Sequence, residues 1–383
     1  MKILIITYYK EYNPGTFLQA YGVQYAWRQK YPDAEIEYLN YAECIKESGE
    51  NYNGAQSPMS LLQKIKHVIA NRRRYAIMKA DRKKNIHTAC EMFDLYPSIK
   101  QQERFIEYCQ HYDIISIGSD TILESFFING NWGVMWPSTE IRSKKVFFAG
   151  SADSAKNLYN KTELFAEAAK RIQDFAHIGL RDDVTINFFE QYLGINRNRL
   201  IKQPDPTFFL PLNLFHLDCK KAKLIPKNRK VVFYHFDRRF RYRKELATLL
   251  KAQGYYLLTT EYDPNVDLSF KSLSAFEWAG VFRFCDYVIT ERFHDTVFAM
   301  RWNVPVITID WNLDKVSDKG ESKRLSIIKD FGFEENYVLL QSKDDLHIVL
   351  KKLSCIDVEA FKAKSAKKVI ELQGICTNIM KKL

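Results

Sequence analysis

Twice along this chain, short apolar runs alternate with longer segments whose apolar residues recur at helical spacing, and a proline-rich pause separates the two passages. This rhythm restricts the fold more than any other feature. Strands that alternate with helices close as βαβ units, with a largely parallel sheet covered by helices. In the first passage, strands are predicted over 2–7, 35–40, 114–117, 146–149 and 178–180. Helices are predicted over 16–28, 162–175 and 182–193, the first with Phe17, Ala20, Tyr21, Gln24 and Trp27 along one side. The pause carries Pro204, Pro206, Pro211 and Pro226. Strands then resume at 231–236, 255–259, 287–290 and 306–309, with helices over 241–252, from the capping-box sequence Ser274-Ala275-Phe276-Glu277, and from about residue 296. A basic amphipathic helix over 358–380 is expected to pack on the body of the protein. The expectation is two α/β domains, 1–205 with a basic helical segment at 60–110, and 206–383 with the last helix.

A chain of 383 residues is long enough for two such cores. No apolar run approaches the ~18 residues of a membrane span, and the opening run is too short for a signal-peptide core. Seven widely spaced cysteines without a Cys-x-x-Cys pair argue against a disulfide framework and a zinc site. Reduced thiols in a cytoplasmic protein are expected, and no metal. The formal charge of +11 favours anionic partners. The stretch from Lys64 to Lys84 holds nine basic residues and one acidic one, a solvated helix face or a contact with the inner face of a membrane. Nucleic acid is not expected, because no RNA-binding signature accompanies the charge.

In parallel sheets ligands gather beyond the carboxyl ends of the strands, so chemistry is sought at strand–loop–helix junctions. One is Thr290-Glu291-Arg292-Phe293-His294-Asp295, where a cation and an imidazole stand beside a helix start and could hold an anion and move a proton. The competing reading pairs Arg292 with Glu291 or Asp286 and makes His294 a cap. A second junction ends in Arg181, with Asp182 or Asp183 as cap; Arg181 could grip an anion in the cleft or form a surface pair. Two others, Asn13-Pro14-Gly15-Thr16 and Gly118-Ser119-Asp120, combine small residues with hydroxyl-binding groups: Asn13, Thr16, Ser119 and Asp120. Neither is a P-loop or a GxGxxG fingerprint.

Taken in order, these segments resemble the polysaccharide pyruvyl transferase family. The similarity runs through Asn13-Pro-Gly-Thr-Phe-Leu-Gln-Ala-Tyr21, Asp113-Ile-Ile-Ser-Ile-Gly-Ser-Asp120 and Phe148-Ala-Gly-Ser151. It continues through Leu180-Arg-Asp182, Pro204-Asp-Pro-Thr207, Thr290-Glu-Arg-Phe-His294 with Phe298-Ala299, and Pro305-Val-Ile307, covering about 1–335. The resemblance implies a GT-B-like fold, two Rossmann-like domains facing across a cleft, with the acceptor on the first and the donor on the second. It also implies transfer of an enolpyruvyl-derived group from phosphoenolpyruvate, a co-substrate rather than a bound cofactor, to a sugar, forming a pyruvate ketal. Arg181 and His294 are thereby associated with phosphoenolpyruvate, with Arg292 as neighbour. Two departures stand out. Thr121-Ile122-Leu123 replaces a common Gln-x-Trp after Gly-Ser-Asp, and Asp295 replaces a common glycine, placing a carboxylate beside the expected anion site.

The expected division of labour gives donor binding to Arg181, Arg292 and His294. Acceptor binding falls to Asn13, Thr16, Ser119 and Asp120, with His294 as acid and Asp120 as base. The acceptor would be a sugar on a lipid, a nucleotide or a polymer. Rival functions are a GT-B glycosyltransferase using a nucleotide sugar, since fold does not fix function, and a basic membrane-associated scaffold.

Overall fold

The computed structural model describes residues 1–9, 13–39, 72, 76, 94–96, 102–124, 127–128, 131–152, 156–159, 161–270, 272–317 and 320–383. The basic stretch at 64–84 therefore lies outside the described residues, apart from Arg72 and Ala76, each in helix and exposed.

Two parallel sheets form the molecule. The first contains β1 (Lys2–Ile6), β2 (Glu35–Leu39), β3 (Asp94–Tyr96), β4 (Ile114–Ile117), β5 (Lys144–Gly150), β6 (Phe175–Leu180) and β7 (Leu200–Lys202), in the order β3-β2-β1-β4-β5-β6-β7. The second contains β8 (Val231–His235), β9 (Tyr256–Thr259), β10 (Leu268–Ser269), β11 (Tyr287–Thr290), β12 (Val306–Asp310) and β13 (Tyr337–Leu339), in the order β10-β9-β8-β11-β12-β13. Each sheet starts at a central strand, grows to one side, then returns and grows to the other. The reversal leaves a crevice between β1 and β4 in the first sheet, and between β8 and β11 in the second. A short antiparallel ribbon pairs Phe127–Ile128 with Asn131–Trp132 outside both sheets.

Six helices matter for the site: α1 (Pro14–Lys30), α2 (Asp183–Gln191), α3 (Ala275–Val281), α4 (Phe293–Arg301), α5 (Lys323–Phe331) and α6 (Val358–Lys382). Their starts follow local chemistry. Asn13 caps α1 by accepting from Gly15 N, with Pro14 at the first helical position, where its missing N–H costs nothing. Asp182 caps α2, Ser274 and Glu277 form the expected capping box of α3, and Ser322 caps α5. Helix α4 begins at Phe293, three residues before the expected start, so His294 lies within the first turn and Arg292 is the N-cap.

Helix α1 departs from a one-sided stripe. Thr16, Phe17, Leu18, Gln19, Ala20, Val23, Gln24, Ala26 and Trp27 are all buried, because the helix is enclosed on most faces. It packs against the first sheet and against the turn Pro206–Phe209, α3 and α6. One apolar core runs through both halves, from Phe17, Trp27 and Phe148 through Phe208 and Phe215 to Phe298 and Phe361. Helix α6 buries Phe361, Val369, Leu372, Cys376 and Ile379, and its final carbonyls accept from Lys30 and Lys144 of the first half. Among the described residues no helix is long and apolar enough to cross a membrane.

Candidate functional site

The two crevices face one another across a cleft of about 320 Å³. The first sheet contributes Asn13, Pro14 and Asp120. The second contributes residues just beyond the carboxyl ends of its strands, among them His235, Asp237, Glu261, Arg292, His294 and Trp311.

His294 occupies the meeting point of the two halves and is only 6% exposed. Its Nε2 lies 3.6 Å from Asp205 Oδ2, an ion-pair distance rather than a hydrogen bond. The opposite edge of the ring lies against Gly15. A Cβ at Gly15 would stand 2.3 Å from His294 Cγ and 2.4 Å from Nδ1, so only glycine admits the imidazole there. Asp205 comes from the proline-rich pause, with Oδ1 accepting from Thr207 N and Oγ1 and Oδ2 left for His294 and Arg181. Burial alone would raise the Asp205 carboxyl. The neighbouring His294 and Arg181 outweigh it and hold that carboxyl well below the usual carboxylate range.

Asp120 lies across the cleft at a positive φ of 80°. Thr16 Oγ1 donates to its Oδ2 at 2.8 Å, and Thr121 N to its Oδ1 at 2.9 Å. Burial pushes its carboxyl up, but Arg181, His294 and Lys323 together bring it below the ordinary value. The other three residues expected here are placed differently. Thr16 is buried behind Asp120 and does not line the cleft. Ser119 is fully buried, and its hydroxyl donates to Gln19 Oε1 at 2.7 Å. Arg181, expected to reach into the cleft, stands behind Phe293, whose ring lies 4.3 Å from the guanidinium carbon. Asp205 and Gln19 hold its Nη1 at 3.0 and 3.1 Å, and Nη2 approaches Asp120 at 4.0 Å. In each case a nearer partner inside the first half claims the polar group.

Asp295 lines the cleft with Arg292 and His294, so it does place a carboxylate beside the expected anion site. Its hydrogen-bond partners, however, lie away from His294. Consecutive helical residues point about 100° apart, and Asp295 turns towards the crevice between β8 and β11. There it accepts from Thr290 Oγ1 at 2.7 Å and pairs with His235 Nδ1 at 2.7 Å. His235 Nε2 lies 3.3 Å from Glu261. Burial disfavours a charged His235, yet the two carboxylates push it up to about 10, so it is an imidazolium at neutral pH. Arg292 lines the same cleft, near Asp237 at 3.7 Å and Glu291 at 3.9 Å. Glu291, as the competing reading held, is one neighbour; Asp286 instead accepts from Val231 N. Among the described residues no group of three or more His, Cys, Asp or Glu side chains could hold a metal ion.

The profile of the polysaccharide pyruvyl transferase family matches residues 13–312, a span that takes in Asn13, Asp120, Arg181, Asp205, Arg292 and His294. The chain belongs to this family. No protein among curated sequences matches it. Solved structures of similar fold include Anabaena Alr3699/HepE in complex with UDP and glucose, 12% identical over 100% of both chains with a TM-score of 0.56. Another is UDP-GlcNAc 2-epimerase from Neisseria meningitidis bound to UDP-GlcNAc, 10% identical over 100% of both chains with a TM-score of 0.54. The architecture is therefore GT-B-like, and at such identities the likeness concerns fold alone.

Asp205 and His235 carry site geometry that the sequence did not assign to them. For Asp205 a signal existed, because Pro204-Asp-Pro-Thr207 belongs to the family series. Its prolines read as a boundary and hid the carboxylate. For His235 no local signal marks a strand-end histidine as the partner of a residue sixty positions away.

Proposed function

We propose that this family member transfers the enolpyruvyl-derived group of phosphoenolpyruvate to a sugar of a cell-surface glycan or its precursor and closes it as a pyruvate ketal. The observation that carries this reading is the seating of His294 between Gly15 and Asp205, opposite Asp120. The donor's negative groups lie against Arg292, Lys323 and the first turn of α4, whose unpaired N–H groups attract anions. The imidazolium of His294, steadied by Asp205, delivers a proton to the methylene carbon, and C2 becomes cationic. A sugar hydroxyl attacks C2 and passes its proton to Asp120, which Thr16 holds in place. A second hydroxyl of the same sugar then attacks C2 and passes its proton to the now neutral His294, while the C2–O bond to phosphate breaks and phosphate leaves with the proton held by Asp120. Arg181 acts through Asp205, fixing the carboxylate that faces His294.

The test is incubation with phosphoenolpyruvate and a panel of nucleotide-linked, lipid-linked and polymeric sugars. The expected result is phosphate release matched one to one by a new ketal methyl signal in proton NMR. General acid–base assistance is typically worth about 10²–10⁴ in rate, so His294→Ala should lose roughly that factor. Sugar transfer from a UDP-sugar, without phosphoenolpyruvate consumption, would replace this reading with a glycosyltransferase.

A further inference from the structure

Among the described residues three large aromatic side chains line the cleft: Trp278, Phe293 and Trp311. Trp278 and Phe293 are buried, 3% and 6% exposed, whereas Trp311 is half-buried. Trp311 directly follows β12, and two contacts fix its ring. Its Nε1 donates to Glu291 Oε2, and the ring leans on Phe240 with centroids 5.7 Å apart. Glu291 follows the neighbouring strand β11, and its Oε1 accepts from Asp237 N in the loop after β8. One carboxylate thus ties together the loops beyond three adjacent strands. An indole braced in this way offers rigid contact area at little cost in conformational entropy.

The groups flanking the ring narrow the occupant. Arg239 is paired with Asp237 at 3.0 Å, and Arg324 with Asp310. An anion against the ring would find these cations already paired. An aliphatic chain would strip water from Asp237 and Asn312, which line the same wall, without offering them hydrogen bonds. What fits is a neutral molecule with an apolar face and a hydroxylated rim. A pyranose has both, with C–H bonds on one face and hydroxyls around its edge, and binding sites for such molecules combine aromatic area with a few placed polar groups.

We propose that Trp311, held by Glu291, is the platform on which the acceptor sugar lays its C–H face. The proposal rests on the pyruvyl-transfer reading and adds a binding group on the second half to Asn13 and Asp120 on the first, so that the acceptor is gripped from both sides of the cleft. Glu291 is a positioning residue that acts through the ring.

The probes are methyl glycosides of neutral hexoses and N-acetylhexosamines, followed by saturation-transfer NMR with the whole chain and with Trp311→Phe and Trp311→Leu. In the native chain, saturation is expected on the C–H protons of one face of the sugar. Affinity should fall less than about threefold in Trp311→Phe, which keeps a ring, and about tenfold in Trp311→Leu, which keeps only apolar bulk against Phe240. A purely structural role would lower the melting temperature and leave the affinities of folded variants alike. Should the leucine variant not fold, the indole N–H signal missing from Trp311→Phe identifies Trp311 in the native spectrum, and its shift on addition of the glycoside decides. No glycoside binding to the native chain, native affinity in a folded Trp311→Leu, or an unmoved Trp311 signal would overturn the proposal. So would Trp311-dependent binding of uridine in place of any glycoside. Trp311-dependent glycoside binding, in a chain that does not bind phosphoenolpyruvate, would keep the platform and remove the pyruvyl-transfer reading.

Discussion

Asp295 puts a carboxylate into the first turn of the helix that presents His294, where a helix end also attracts anionic ligands. Left uncompensated, that carboxylate would compete with the donor. Its partner His235 supplies a buried positive charge beside it, with Thr290 holding the orientation. His235→Gln should therefore weaken phosphoenolpyruvate binding by about tenfold, and adding Asp295→Gly should restore it; calorimetry on the single and double variants decides. The same pair predicts a pH dependence. The His235 value rises on folding from near 6.5 to about 10, so its stabilisation is complete below about pH 6.5 and is lost as pH climbs towards 10. The melting temperature of the native chain should fall towards that of His235→Gln over this interval. A difference that does not shrink with pH would show that the pair is not titrating. The carboxylate at the anion site was legible from Asp295 itself, whereas its partner, supplied by β8 from sixty positions away, was not.

The strands read from sequence are the central ones. The four that escaped notice, β3, β7, β10 and β13, are the sheet edges, each of two or three residues. Edge strands are kept short, so no apolar run or alternation is long enough to register. Helix α1 escaped differently. Its Phe17–Trp27 side was legible, but enclosure on the remaining faces depends on the second half of the chain. Two of its glycines make that enclosure testable. Gly15→Ala places a methyl 2.3 Å from His294 Cγ, and Gly22→Ala places one 2.4 Å from the carbonyl oxygen of Pro206. Alanine is the better helix former, so neither change should unfold α1 itself. Gly15→Ala should cost about 10² or more in turnover by displacing the imidazole, with stability little changed. Gly22→Ala should lower stability by about 1–3 kcal/mol, because a backbone carbonyl cannot swing aside as a side chain can. Paired measurements of melting temperature and phosphate release separate the two effects.

Across the whole molecule the two sheets share an apolar core, and α6 closes back onto the first half. Arg301 is buried within this shared core, among Phe208, Phe215 and Phe298. Its Nη2 donates to the Leu210 carbonyl, while Nε and Nη1 lack a partner. Replacing an incompletely paired buried charge with an apolar side chain of similar length is often neutral or stabilising, so Arg301→Met should hold or raise the melting temperature. A drop of several degrees would mean that the guanidinium is better satisfied than its contacts indicate. The alternation of strands and helices made the two-sheet plan legible, and the ordered junctions led to Asp120, Arg292 and His294. The burial of Arg181, Thr16 and Ser119 was not legible, because a junction motif does not reveal which neighbour will claim its side chains.

In the proposed reaction phosphoenolpyruvate binds where the two crevices meet, against Arg292 and the first turn of α4, with His294 in reach. Calorimetric titration of the native chain and of Arg292→Ala with phosphoenolpyruvate tests this without knowledge of the acceptor. One site per chain is expected in the native protein, with an affinity about tenfold or more lower in Arg292→Ala. A folded native protein that binds UDP-sugars but not phosphoenolpyruvate, or an Arg292→Ala variant with native affinity, would contradict it.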